Sequence, residues 1–93
     1  MPAMVLAVIR AYPKELMDNM SELVAKVQGV LKEKGYDLLR WEAVDIAFGY
    51  KAVDLYVIMP EEQERGTEDA EEAIKSVDEI DNVDVVYVTR IST

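Results

Sequence analysis

A chain of 93 residues, 51% of them hydrophobic, has material for one domain with a modest core and none for a second lobe that would flank an interdomain cleft. It contains neither histidine nor cysteine, which excludes His-based acid–base catalysis, Ser-His-Asp and Cys-His nucleophiles, disulfides and zinc sites of ordinary composition. The net charge of −9 disfavours contact with nucleic acid phosphates, and no apolar run approaches the ~20 residues that span a bilayer.

Met4 to Tyr12 predicts a strand, β-branched and apolar, stopped by Pro13. Asp18 or Asn19 can cap a helix whose Met20, Leu23, Val24, Val27 and Leu31 recur on one face. Lys32 and Lys34 suit the last turn of that helix, and Gly35 supplies its stop. Tyr36 to Val44 predicts a second strand, with Leu38, Arg40 and Glu42 on one face and Leu39, Trp41 and Ala43 on the other. Phe48-Gly49 is the turn into a third strand, Tyr50 to Met59, whose Val53, Leu55, Val57 and Met59 share a face. Pro60 ends it, and Glu61 to Gly66 is a polar loop. Thr67 is the expected N-cap of a second helix, with Glu68, Asp69, Glu71 and Glu72 at its positive end and Ala70, Ala73, Ile74 and Val77 as its apolar stripe. Asp81-Asn82 reads as a turn, after which Val83, Val85, Tyr87, Thr89 and Ile91 alternate along a last strand.

The order strand, helix, strand, strand, helix, strand is that of a ferredoxin-like split βαβ domain spanning 1–93. It predicts an α+β fold with a four-stranded antiparallel sheet, order 4-1-3-2, and two helices on one face. Phe48 then lies at one end of the sheet and Arg90 at the other. The start of the chain, Met1 to Arg10, is apolar but lacks a basic n-region and a small-residue cleavage site. No signal peptide is expected, and the cysteine-free composition fits a cytoplasmic location.

Charge is unevenly placed. Residues 61–84 hold 11 acidic groups against Arg65 and Lys75, whereas the rest of the chain balances 8 acidic with 8 basic groups. Such a patch favours a basic protein surface, or serves as a solvated face that keeps a small protein soluble. Adjacent carboxylates of this kind do not by themselves make a catalytic pair. Glu61 to Glu68 lacks the alternating ligands and glycine of a calcium loop, and the four glycines are isolated, so no phosphate-cradling loop is present. Neither a metal nor a cofactor is expected.

Fold alone does not decide function. An acylphosphatase-like anion loop after the first strand would need glycine, and the segment from Tyr12 to Asn19 has none. An RNA-recognition motif would carry stacking aromatics where Ala52 and Leu55 stand. An aromatic at a Phe-Gly turn is available to a partner, although small domains also use such rings to close a core.

The segment Ile46-Ala47-Phe48-Gly49-Tyr50-Lys51-Ala52-Val53-Asp54-Leu55-Tyr56-Val57 resembles the Ile-Ala-Phe-Gly-Leu-Lys/Val-Ala-Leu segment of the archaeal elongation factor 1-beta family. The opening strand through Pro13, the Arg65-Gly66-Thr67-Glu68 helix start and the closing strand from Asn82 to Ile91 are similar to that family as well, so the resemblance covers nearly the whole chain. Asp45 stands where the family has proline, and Arg90, followed by Ile91, Ser92 and Thr93, stands where eukaryotic relatives have lysine.

The resemblance implies a guanine-nucleotide exchange factor for the GTPase elongation factor 1-alpha, with no bond-making chemistry and no direct contact with nucleic acid or membrane. It places partner binding at Phe48, Gly49, Tyr50 and Lys51, facing the second domain of the GTPase, and at Arg90 and Ile91, facing its nucleotide domain. The competing expectation is a ligand-binding or oligomerising ferredoxin-like regulatory module that pairs through a strand edge.

Overall fold

A computed structural model describes residues 3–17, 19–61 and 66–91. Six elements follow in order: β1 (Met4–Pro13), α1 (Ser21–Glu33), β2 (Asp37–Ala47), β3 (Tyr50–Pro60), α2 (Glu68–Lys75) and β4 (Ile80–Ile91). The strands form one antiparallel sheet of order β2-β3-β1-β4, which is the expected 4-1-3-2 order read from the other edge.

Alternation decides which side of the central strands is buried. Ala7, Ile9 and Ala11 of β1 and Val53, Leu55, Val57 and Met59 of β3 point to the same side. There they meet Leu23, Val24, Val27 and Leu31 of α1 and Ala70, Ala73 and Ile74 of α2 in a single core. Both helices therefore cover one face. The opposite face carries Leu6, Val8 and Arg10 of β1 opposite Ile58, Tyr56 and Asp54 of β3.

The helix ends obey local chemistry only in part. Gly35, at φ +85°, closes α1: its N–H donates to Lys32 O and that of Tyr36 to Leu31 O, both at 3.0 Å. The pair is a Schellman closure, which needs a left-handed residue at that point. At the N-terminus Met20, already helical, takes the position before α1 and no side-chain cap forms. The Asn19 Oδ1 accepts from the Ser21 N–H at 2.9 Å one residue earlier than a cap would sit, while Asp18 lies outside the described residues. Thr67 does precede α2, but its side chain makes no cap. Its backbone is already helical (φ −79°, ψ −13°), whereas a capping hydroxyl reaches the first turn from an extended backbone.

Three expectations about strands are corrected, all by bulges. Asp81-Asn82 is not a turn. β4 starts at Ile80, opposite Pro13, and Asn82 pairs with Tyr12, so Asp81 is the extra residue of an irregular rung. Burial of Val77 and Ile80 and a 2.8 Å bond from the Lys14 N–H to Glu79 O hold the chain there against its local turn preference. Farther along, Val85 pairs with Ile9 and Tyr87 with Val8, leaving Val86 as an extra residue. Val83 and Val85 thus face the helices, while Tyr87, Thr89 and Ile91 face the open side. In β2 the extra residue is Leu39, so Leu38 shares the helix side with Trp41 and Ala43 and not with Arg40 and Glu42. In each strand, adjacent residues read as strict alternation only because the inserted residue is invisible in a one-dimensional pattern.

Candidate partner-binding site

The β2–β3 hairpin turns through two residues, Phe48 and Gly49, between the paired Ala47 and Tyr50. Both have positive φ, +51° and +80°. That is the two-residue type I′ connection, whose twist matches that of the strands. Glycine enters this conformation freely; a bulky L-residue does so at about 1–3 kcal/mol. Phe48 occupies it with its ring fully exposed. A core role is ruled out, and the strained backbone is not offset by packing. Ile46, the extra residue of a bulge just before the turn, is also exposed. Lys51 is half-buried and stands opposite Asp45 in the ladder.

Tyr50 is half-buried beside this turn, and its hydroxyl donates to Pro13 O at 2.6 Å. Burial, and then the nearby charge of Asp81, push its pKa above the ordinary tyrosine value, so the donor proton stays in place at neutral pH.

Arg90 and Ile91 lie at the far end of the sheet, where Val5 and Met4 are their partners in β1. The 11 residues of β3, at ~3.3 Å each, separate the two ends by roughly 33 Å. The Arg90 side chain is 68% exposed, and its Nε and Nη2 both lie 3.1 Å from Glu61 Oε2. The Glu61 backbone is tied to the start of β1, since its N–H donates to Ala3 O at 3.2 Å. The fold therefore splits the six residues singled out from sequence into two groups. Phe48, Gly49, Tyr50 and Lys51 cluster at the hairpin tip, and Arg90 and Ile91 sit at the opposite pole.

Other charges were not legible in the sequence. Arg10 forks onto Asp54 on the open face, Nε to Oδ1 at 2.7 Å and Nη2 to Oδ2 at 3.1 Å, with Asp54 buried. The hydrogen bond to Asp54 holds the guanidinium pKa above its ordinary value. The available signal was the one charged residue of β1, Arg10, and the one acid of β3, Asp54. Arg40 stacks over the Tyr56 ring at 4.3 Å and pairs with Glu42 at 3.0 Å. The acidic segment is partly neutralised: Glu79 bonds Lys26, and Asp69 lies 2.8 Å from the Tyr36 hydroxyl and 3.6 Å from Lys34. The Lys26 hydrogen bond lowers the Glu79 pKa. Among the described residues, no cluster of three or more Asp or Glu side chains is arranged to hold a metal ion, and no helix is long and apolar enough to cross a membrane.

The fold defines a ferredoxin-like α+β domain with exposed side chains at two opposite ends of its sheet. A chain from the solved complex of the chemotaxis kinase CheA P2 domain with the response regulator CheY of Thermotoga maritima shares the architecture. Its TM-score is 0.54 over 97% of this chain and 98% of that one, at 20% identity, a likeness of fold alone. The family is shown by sequence. The model of the EF-1 guanine nucleotide exchange domain matches residues 6–91. Elongation factor 1-beta of Desulfurococcus amylolyticus is 42% identical over 97% of this chain and 99% of its own length, and that of Hyperthermus butylicus 43% identical over 97% of each. Elongation factor 1-beta of Saccharolobus solfataricus is 36% identical over 94% of both chains. The chain belongs to the elongation factor 1-beta family.

Proposed function

We propose that this chain, acting as one domain over residues 1–93, promotes exchange of GDP for GTP on elongation factor 1-alpha by stabilising its nucleotide-free state. The family match over residues 6–91 is the observation that supports this most directly. No bond is made or broken. A protein that binds the empty GTPase more tightly than the loaded one weakens nucleotide binding by the same factor, and each ~1.4 kcal/mol of that difference is tenfold.

The two poles suit such a task. A sheet with a bare aromatic ring at one end and an exposed guanidinium roughly 33 Å away can engage two domains of one GTPase at once. In this reading Phe48, flanked by Gly49, Tyr50 and Lys51, docks on an apolar site of the second domain. Arg90, with Ile91, approaches the nucleotide domain, where its charge competes with Mg²⁺ and phosphate. The site of action is the cytoplasm, where translation runs, and neither nucleic acid nor membrane is a direct partner.

The edge-pairing module is the weaker reading, because both edge strands are interrupted. Extra residues at Leu39 and Ile46 break β2, and those at Asp81 and Val86 break β4, and such bulges blunt an edge against further strands. The decisive experiment is release of fluorescent GDP from the cognate elongation factor 1-alpha with and without this protein. Catalytic acceleration supports the proposal; release at the spontaneous rate at every protein concentration sinks it.

A further inference from the structure

The ladder between β1 and β3 runs from Met4↔Pro60 to Ala11↔Val53 and stops. The β2–β3 ladder continues through Val44↔Ala52, Asp45↔Lys51 and Ala47↔Tyr50. The hairpin tip is therefore a two-stranded ribbon that overhangs the sheet, weakened further by the extra Ile46 and by the strained Phe48. An isolated two-stranded ribbon is marginal in water at best. Among the described residues, one side-chain bond returns from this overhang to β1: the 2.6 Å contact from the Tyr50 hydroxyl to Pro13 O.

We infer that Tyr50 is a positioning residue, a strut that ties the overhanging tip to the end of β1 and holds Phe48 in its left-handed, outward conformation. The inference rests on the reading that Phe48 meets the GTPase. It assigns Tyr50 a role behind the contact and not in it. Without the strut the tip samples other backbone states, and binding must then select the presented one, which lowers apparent affinity by the fraction present. The ring is half-buried and its hydroxyl keeps its proton at neutral pH, so the donor the strut needs is present in the free protein.

Tyr50→Phe removes the hydroxyl and leaves the ring. The expected result is a rise of about threefold to tenfold in the concentration of exchange factor giving half-maximal GDP release, the range of one net hydrogen bond, with the plateau rate unchanged. Amide hydrogen exchange should quicken at residues 46–50 and stay as in wild type along β1. In the Phe48→Ala background the Tyr50→Phe effect should vanish, because nothing is left to position. Tyr56→Phe, which loses a mid-sheet hydroxyl bonded to Glu42 at 3.3 Å, serves as the control and should leave the half-maximal concentration alone. A wild-type half-maximal concentration for Tyr50→Phe overturns the inference. An equal shift with and without Phe48 also overturns it, since Tyr50 would then touch the partner itself. If Phe48→Ala exchanges like wild type, the underlying reading fails, and the strut loses its purpose with it. Impaired Phe48→Ala beside normal Tyr50→Phe removes the strut alone.

Discussion

At the hairpin end of the sheet an apolar ring is presented by backbone geometry, whereas at the opposite end a cation is presented by an exposed ion pair. Phe48 points outward because its type I′ turn, with φ +51°, lies beyond the end of the β1–β3 ladder. Arg90 points outward because strand β4 ends beside Glu61, whose carboxylate meets it at 3.1 Å. The first arrangement depends on covalent and steric terms that salt does not touch. The second depends on a Coulombic contact between groups 68% and 38% exposed, which contributes about 0–1 kcal/mol and is screened within ~8 Å at physiological ionic strength. One domain thus carries a pole whose geometry salt leaves alone and a pole whose geometry responds to the solution.

The largest expected effect lies at the hairpin. Phe48→Ala should raise the half-maximal concentration in the GDP-release assay roughly 30-fold or more, the loss of an aromatic anchor worth about 2 kcal/mol. Its thermal stability should not fall. Phe48→Asn sharpens the point, because asparagine tolerates the left-handed conformation: melting temperature should rise while exchange is lost. A collapse of melting in either variant would show that the ring is packed in solution and would erase the contrast between the poles.

Arg90→Ala should act on rate more than on binding. GDP release at saturating exchange factor should slow by about tenfold or more, the scale of one hydrogen bond to a charged group, with stability changed by less than ~0.5 kcal/mol. Arg90→Lys should retain much of the activity, since a point charge survives even though the fork does not. Release from Arg90→Ala at the wild-type plateau would remove this pole from the mechanism.

Glu61→Gln should have a smaller consequence of opposite sign. Freeing the guanidinium should speed exchange by about twofold to fivefold at low salt, within the energy of an exposed pair, and the gain should disappear at high salt and in the Arg90→Ala background. A gain that persists without Arg90 would mean Glu61 acts elsewhere.

Smallest is the general salt effect. The acidic segment 61–84 should steer association with a basic GTPase surface, so the association rate should fall as salt rises, less steeply than its formal charge suggests because Glu61, Asp69 and Glu79 already hold cations. A rate flat from low to high salt would reduce this segment to a solubilising face.

Much of this architecture was determined by the sequence. Element order, the apolar faces of α1, α2 and β3, the Gly35 stop and the Phe48-Gly49 turn follow from periodicity and from local backbone preference, which neighbouring residues report directly. Separation of the two candidate poles follows as well, once the strand order is known. The bulges at Leu39, Asp81 and Val86 do not, because an inserted residue is defined only against a partner strand. For the same reason the sequence could not reveal that Arg10 meets Asp54, that Glu61 meets Arg90, or that Tyr50 reaches Pro13, pairs 44, 29 and 37 residues apart. Tertiary structure alone decided whether Phe48 closes a core or stands in solvent. Sequence specifies that a turn forms, but which side of it faces the solvent depends on where the neighbouring β1 ladder ends, at Ala11, well short of the tip.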